Sequence, residues 1–399
     1  MLVGVVGKPS TGKSTFFKAL TMADVEINPR PFTTIKPNRG VGYVRIECVE
    51  NEFKVKCNPR QGTCLNGTRF VPIDMLDVAG LIEGAHEGKG LGNSFLDDLR
   101  QADALVHIVD CSGSTNEKGE RCAPLTHDPA IDIKMLENEM NQWMAQIIGK
   151  NFQKFSKRVA TEKKQMYKEL ALQLSGLKIS EEQVKAALDK LKLMDLSALS
   201  WTEKEFLELA IELRKASKPM LIAANKIDIP GADKNLERLK QEFPDYLFVP
   251  CSAEAELALK EAGKKGLIEY IPGSNNFKIL NESLLSEQQK QGLLFLQKNV
   301  LDKYGSTGVQ EVLDAGVFKL LEMIAVFPGG LNNLTDSKGR VLPDCYLMPK
   351  NSTALDFAFK IHTDFGNNFI RAVNVKKRMV IGRDYTLQNR DVIEIISGK

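Results

Sequence analysis

Across 399 residues the chain is 43% hydrophobic and 26% charged, with a formal net charge of +3. That length suits two or three domains with a large core, and so slight a charge excludes a polycation built to coat nucleic acid. No apolar stretch approaches the ~20 residues of a membrane helix, the first residues lack a signal-peptide layout, and seven scattered cysteines do not make a disulfide framework, so a cytoplasmic protein with no membrane partner is expected.

Leu2 to Val6 is a short apolar run, read as a buried strand, and GKPSTGKST follows at once from Gly7 to Thr15. Gly7, Gly12, Lys13 and Ser14 fall at the fixed places of G-x-x-x-x-G-K-[ST]. The glycines let backbone N–H groups curl around phosphates without a Cβ in the way. The helix beginning in STFFKALT aims its N-terminus at the same anion. Gly7, Lys8, Pro9, Ser10, Thr11, Gly12, Lys13, Ser14 and Thr15 are therefore the candidate phosphate-binding residues. Lys13 would bridge the β- and γ-phosphates, and the Ser14 hydroxyl would hold Mg²⁺. A loop of this kind does not by itself separate GTPases from kinases and ATPases.

In PFTTIKPNRG, residues 31–40, a threonine follows the first helix where a GTP switch needs one. Its hydroxyl completes the Mg²⁺ shell and its backbone senses the γ-phosphate. Thr33 and Thr34 both qualify, and Thr34 is favoured. Further on, Cys48, Cys57 and Cys64 cluster, but a zinc site wants a fourth ligand and no His or Cys follows at finger-like spacing. Reduced cysteines of a hairpin region are the expectation.

FVPIDMLDVAG, Phe70 to Gly80, reads as an apolar strand ending at Asp77. The Asp77 carboxylate would reach Mg²⁺ through a water, and the Gly80 N–H would meet the γ-phosphate. Asp77, Val78, Ala79 and Gly80 thus join the nucleotide-binding set. Ser14, Thr34 and Asp77 are the candidate metal ligands, and Lys13, Thr34 and Gly80 the candidate catalytic groups. ALVHIVDCSG, residues 104–113, continues the sheet and completes the first part of a nucleotide-binding domain, residues 1–127.

Residues 128–217 are rich in Lys, Glu, Leu and Ala and read as a helical insertion. SEEQVKAALDKL opens with a capping box, Ser180 to Gln183, and WTEKEFLELAIEL repeats the device with Thr202 and Glu205. The basic run KKQMYK offers an RNA contact, with an ordinary solvated helix face as the alternative.

The domain resumes over 218–327. PMLIAANKIDIP makes a buried parallel strand with NKID at its C-terminal end, where ligands bind in open α/β sheets. An acceptor-only carboxylate at Asp228 matches the two N–H donors of guanine at N1 and N2 and rejects adenine. Asn225 would tie this loop to the phosphate loop, and the stem of Lys226 would cover the base. LFVPCSAE then brings Ser252, Ala253 and Glu254, the first two presenting backbone to guanine O6. These pieces, in this order, point to GTP and GDP. A helical stretch over 255–327 follows and ends at a Pro-Gly-Gly break.

Residues 335–399 change character: a strand, a helix capped by Ser352 or Thr353, then short alternating strands. From Lys338 onward eleven Lys and Arg stand against six Asp and Glu. A basic module on a near-neutral body suggests an RNA-facing surface, with a protein-docking module as the alternative.

PFTTIKPNRGVG together with DVAGLIEGAHEGKGLGNSFL closely resembles the Obg family of translation-factor-like GTPases, and Gly84, Gly88, Gly90 and Gly92 are the most specific part of that likeness. The inserted helices and C-terminal segment resemble its YchF-related branch, and the last residues are similar to the TGS module, a small β-grasp domain. The resemblance implies an α/β P-loop NTPase G domain, with a mostly parallel sheet and flanking helices, carrying a helical insertion and a C-terminal TGS-like β-grasp domain. It also implies Mg²⁺-dependent GTP hydrolysis and a ribosomal or other RNA-containing partner, reached through the C-terminal domain and the insertion.

Two departures bear on function. Many Obg-type proteins carry Asn where Ser10 stands, an Asn associated with a potassium ion that aids hydrolysis, so potassium stimulation is in doubt. Some YchF relatives have lost the guanine-reading Asp and accept ATP, whereas NKID is intact here. Leu81 directly follows D-x-x-G, where Ras-like enzymes place a Gln to orient the attacking water. The expectation is a slow GTPase that works as a nucleotide-dependent switch, stimulated from elsewhere. The alternatives are a nucleotide-sensing scaffold with negligible turnover and an ATP-accepting relative.

Overall fold

The structure, a computed structural model, describes residues 1–21, 39–78, 84, 98–194 and 198–398. Among the described residues seven strands form the larger sheet: β1 (Leu2–Val6), β2 (Arg39–Glu47), β3 (Thr63–Leu65), β4 (Thr68–Asp77), β5 (Ala104–Asp110), β6 (Met220–Asn225) and β7 (Leu247–Pro250). Their order is β2-β4-β1-β5-β6-β7, with β3 paired to β4. From β4 to β7 every pairing is parallel, whereas β2 and β3 run antiparallel to β4.

Successive side chains of a strand face opposite sides, and the sequence of β1 uses both. Leu2 and Val6 enter one core and Val3 and Val5 another. Leu105 and Val109 of β5 join the first core, Val106 and Ile108 the second. Both faces are therefore covered, as a parallel sheet requires.

The first face is covered by residues of the segment expected to be a helical insertion. It forms helices Pro129–Gly149, Phe152–Thr161, Met166–Leu174, Glu181–Lys190 and Glu203–Ser217. Ile133, Leu136, Met140, Leu209 and Leu213 from these helices lie in one cluster with Leu2, Val6 and Leu105. Farther out, Phe152 stacks on Trp201 with ring centroids 5.0 Å apart and meets Phe206 edge-on at 4.9 Å. Both capping boxes read from sequence form: Ser180 with Gln183, and Thr202 with Glu205. The opposite face is covered by helix Lys13–Thr21, through Phe16 and Ala19, and by helix Val309–Ala315, through Val312 and Leu313.

Residues 255–327 are less uniformly helical than expected. They contain a two-stranded hairpin of β8 (Ile268–Glu269) and β9 (Lys278–Ile279), and they end in β10 (Met323–Pro328). In β10 Ile324 and Val326 alternate with Ala325 and Phe327, and the two sets enter different cores. That period of two favours a strand over the helix that the apolar run alone suggested.

The second sheet therefore begins ahead of the Pro-Gly-Gly break. Its order is β11-β10-β14-β12-β13, adding β11 (Tyr346–Pro349), β12 (Phe369–Asn374), β13 (Met379–Ile381) and β14 (Asp391–Ser397). Helix Ala354–Ile361 packs on it through Ala354 and Phe357, capped by Thr353 in a box with Asp356.

The two sheets are joined by polar and apolar contacts. Arg69, 1% exposed, donates to the Leu342 carbonyl at 3.0 Å and the Pro343 carbonyl at 2.8 Å. Arg390 pairs with Glu47 at 2.9 Å, and Lys376 with Glu52 at 2.6 Å. Beside them Cys48, Val49 and Cys57 share a cluster with Phe327, Leu342, Val375 and Val392. Among the described residues no helix is long and apolar enough to cross a membrane.

Candidate nucleotide site

Register brings the functional pieces to one edge. Val5 of β1 lies opposite Asp77 of β4, Asp110 of β5 opposite Asn225 of β6, and Ala224 opposite Pro250 of β7. Each strand thus delivers its following loop to the same C-terminal end of the sheet, the ligand-binding edge of open α/β folds. A cavity of about 740 Å³ opens there. It is lined by the 8–15 loop, by Ser114, Thr115, Arg121, Cys122 and Pro124 on one side, and by Asn225, Lys226, Asp228 and Ser252 to Glu254 on the other.

The phosphate loop is held in shape by its neighbours. Gly7 passes so near β5 that a Cβ there would sit 2.7 Å from the Ile108 carbonyl oxygen. Gly12 has φ +94°, and a Cβ on it would lie 2.3 Å from Asn225 Nδ2. Ser10 also adopts a left-handed conformation, φ +64°, in which a residue with a Cβ is strained. Thr11 is fully buried and its hydroxyl donates to the Lys8 carbonyl at 3.1 Å. The Lys13 ammonium contacts the Asp77 carboxylate and donates to the Val78 carbonyl at 2.8 Å. Ser14, the second residue of helix Lys13–Thr21, is exposed.

The base-side loop is tied to the phosphate loop through one amide. Asn225 Nδ2 donates to the Thr11 carbonyl at 2.8 Å, and Asn225 Oδ1 accepts from the Ala253 N–H at 2.9 Å. Asn225 therefore links three separate segments. Ser252 caps helix Ala253–Lys264 by accepting from the Ala255 N–H at 3.3 Å. Lys226, at φ +61°, extends its ammonium to Asp110 at 2.8 Å. Asp228 lines the cavity, and among the described residues its side chain makes no hydrogen bond or ion pair with the protein.

Two features were not read from the sequence. Asp110, fully buried, accepts from the hydroxyls of Ser112 at 2.5 Å, Ser114 at 2.9 Å and Thr115 at 2.8 Å, as well as from Lys226. Burial works to raise its pKa, but these donors outweigh it and hold the carboxyl below its usual range. The only signal was an acidic residue ending an apolar strand before Cys-Ser-Gly-Ser-Thr. The second feature is Lys8, counted with the phosphate loop on its spacing. Its ammonium is turned into the core, donating to the Thr115 carbonyl and to Asp132, each at 2.9 Å. Asp132 also meets His127 Nε2 at 2.9 Å, and burial pushes its pKa up despite both partners.

Of the other sequence-predicted groups, Gly84 is placed: its N–H donates to Glu139 of helix Pro129–Gly149 at 2.7 Å. Thr33, Thr34, Ala79, Gly80, Leu81, Gly88, Gly90 and Gly92 lie outside the described residues.

Comparison with known proteins agrees with this geometry. Residues 2–152 match the family described as 50S ribosome-binding GTPase. Residues 223–329 match the Obg-like GTPase YGR210-like, G4 motif-containing domain, and residues 333–397 the TGS domain. The chain is 49% identical to an uncharacterized GTP-binding protein of Methanocaldococcus jannaschii over 99% of each chain. It is 26% identical to the ribosome-binding ATPase YchF of Buchnera aphidicola over 98% of each. Its fold superposes on the crystal structure of a GTP-binding protein from Pyrococcus horikoshii with a TM-score of 0.79, at 38% identity and full coverage of both chains.

Proposed function

The chain belongs to the YchF-related branch of the Obg-like GTPases, and from that premise we propose that it binds GTP and GDP, hydrolyses GTP slowly and acts as a nucleotide-dependent switch on the ribosome. The observation that carries the guanine reading is Asp228. Its carboxylate lines the cavity, uncommitted to protein partners among the described residues, on a loop anchored by Asn225. Guanine fills both acceptor oxygens with N–H donors, while adenine would leave a buried carboxylate facing an acceptor.

Gly7 to Thr15 hold the polyphosphate, and Lys13 leaves Asp77 to neutralise the charge that grows on the γ-phosphate during in-line attack by water. In this reading Val78, Ala79 and Gly80 belong to the nucleotide-binding set, with the Gly80 N–H as the donor to the γ-phosphate. Ser252, Ala253 and Glu254 close the far side of the base. Mg²⁺ fits the donor set, which is oxygen only. Ser14 and Asp77 come from adjoining elements already linked through Lys13, and Thr34 would complete the shell. When bound, the ion would offset phosphate charge. Leu81 offers no group to orient water, so the intrinsic rate is slow. Ser10 in place of Asn argues against potassium stimulation.

Relatives of this chain carry the name ribosome-binding ATPase, which supports a ribosomal partner and keeps ATP as the competing nucleotide. The basic C-terminal domain and the helical insertion are the surfaces for that partner. The test measures affinities for GDP, GTP and ATP with Mg²⁺ in the wild type and in Asp228→Asn. Loss of two hydrogen bonds to a charged acceptor lowers guanine affinity by about 100-fold and leaves ATP binding unchanged. Equal or tighter binding of ATP by the wild type would overturn the guanine assignment. Single-turnover hydrolysis with and without ribosomes separates a switch, which accelerates, from a scaffold, which does not.

A further inference from the structure

The excursion between β2 and β4 contains a cluster that the nucleotide site does not use. Cys48 follows the end of β2, Glu50 opens the one-turn helix Glu50–Phe53, Cys57 lies in the loop after it, and Cys64 is the middle residue of β3. Folding brings a ligand atom from each of the four within 4.8 Å of the others. The sequence offered three cysteines and no fourth ligand of the expected type. The fourth is a carboxylate, two residues beyond Cys48.

The distances suit a metal better than a disulfide. Cys48 Sγ and Cys57 Sγ are 3.7 Å apart, far beyond a bond. Two sulfurs each ~2.3 Å from a tetrahedral zinc ion stand about 3.8 Å apart. Cys64 Sγ lies 3.2 Å from Glu50 Oε1, while Glu50 Oε2 accepts the Cys57 N–H at 2.8 Å. That second bond orients the carboxylate as outer-shell partners orient metal ligands.

Charge points the same way. Glu50 is 9% exposed and Cys48 fully buried, and no lysine, arginine or histidine among the described residues pairs with Glu50. A buried carboxylate surrounded by thiols and lacking a counter-cation is costly to bury. A divalent ion supplies the missing positive charge and displaces the thiol protons as it binds. Thiolates exclude Mg²⁺ and Ca²⁺, four-coordination by three sulfurs and one oxygen selects zinc, and iron–sulfur clusters take a fuller thiolate set.

We infer that Cys48, Glu50, Cys57 and Cys64 form a structural zinc site that braces the excursion on which the C-terminal domain rests. The same residues lie under that domain: Cys48 and Cys57 pack with Phe327, Leu342, Val375 and Val392. The Asn58 and Arg60 N–H groups donate to the Val341 and Pro343 carbonyls at 2.8 and 2.9 Å.

The full chain, purified without chelator under reducing conditions, carries about one zinc per molecule by elemental mass spectrometry, released when an organomercurial titrates the thiols. Loaded instead with Co²⁺, it shows thiolate-to-cobalt charge transfer and the strong d–d bands of a tetrahedral site. Cys57→Ser and Glu50→Gln each weaken zinc binding by at least the ~10-fold that loss of even an outer-shell partner produces, whereas Cys111→Ala keeps the full complement. If Cys57→Ser does not fold, the wild-type stoichiometry and cobalt spectrum decide. Wild-type chain that takes up no zinc from added zinc chloride, or that contains a Cys48–Cys57 disulfide on peptide mapping, overturns the site. Wild-type affinity and spectrum in Glu50→Gln overturn the four-ligand assignment.

Discussion

Gly12 and His107 show how single residues set the conditions for the site. Gly12 combines a left-handed backbone with a close approach of Asn225 Nδ2, so Gly12→Ala strains the loop and pushes away the amide that joins three segments. A loss of about 1–3 kcal/mol is expected for the backbone alone, with nucleotide affinity falling further than the thermal midpoint suggests. Isothermal titration beside a thermal melt distinguishes the two. His107, in the middle of β5, is fully buried, and both ring nitrogens lack a partner among the described residues. Burial, helped by the nearby Lys8 charge, pushes its pKa down to about 3. The unfolded chain then takes up this proton first as pH falls below ~6.5. The stabilisation from a neutral His107 is complete above that pH and is lost downward toward pH 3, at up to about 1.4 kcal/mol per pH unit. From pH 7 to pH 5 the stability of the wild type should fall relative to that of His107→Leu by that slope in denaturation curves; parallel profiles would refute the assignment. Most of the residues that line the cavity were legible because G-x-x-x-x-G-K-S and N-K-x-D are spacings with a chemical reason. Asp110 and Lys8 were not, since an aspartate at a strand end and a lysine in a loop look the same whether they face solvent, ligand or core.

Among the elements, the helical segment 129–217 illustrates what periodicity conveys and what it omits. Its caps were readable, and each holds: Thr202→Ala should cost about 1 kcal/mol, read as a drop in unfolding midpoint without change in nucleotide affinity. Spacing also showed which residues of Glu203–Ser217 are apolar. It could not say what they pack against, and the answer is the sheet itself, since Leu136, Met140 and Leu213 share a core with Leu2, Val6 and Val109. Replacing 129–217 by a short linker is therefore expected to yield an aggregated or molten chain rather than a smaller working domain, checked by near-ultraviolet circular dichroism. Strand β10 was misread for a related reason. A short apolar run is ambiguous between helix and strand until its neighbours are known, and the partners of β10 lie about twenty and sixty-five residues downstream in β11 and β14.

For the molecule as a whole, the joint between the two sheets fixes how the C-terminal domain is seated on the domain that carries the cavity. Arg69 carries much of that joint, because its buried guanidinium serves two carbonyls of the linking segment. Arg69→Met leaves the Leu342 carbonyl unpaired and takes one of two donors from the Pro343 carbonyl, and should cost about 2–4 kcal/mol, observed as two separate unfolding transitions in calorimetry where the wild type shows one. The exposed pairs of Arg390 and Lys376 with Glu47 and Glu52 contribute less, since solvent screens them. That the chain ends in a basic module was visible from composition. How tightly the module is seated was not, because its contacts come from residues scattered over Glu47 to Arg69.

The Lys8 side chain has a bearing on transplantation. Phosphate loops are often regarded as cassettes that move between proteins unchanged. In this chain the second residue of the loop sends its charge through Asp132 into the first inserted helix and beside His127. Grafted into a G domain that lacks that helix, the same nine residues would leave an ammonium group with nowhere to go. The reciprocal graft, an unrelated loop placed here, would take from buried Asp132 its lysine partner and leave it His127 alone. Loop and insertion are best treated as one heritable unit, to be exchanged together or not at all.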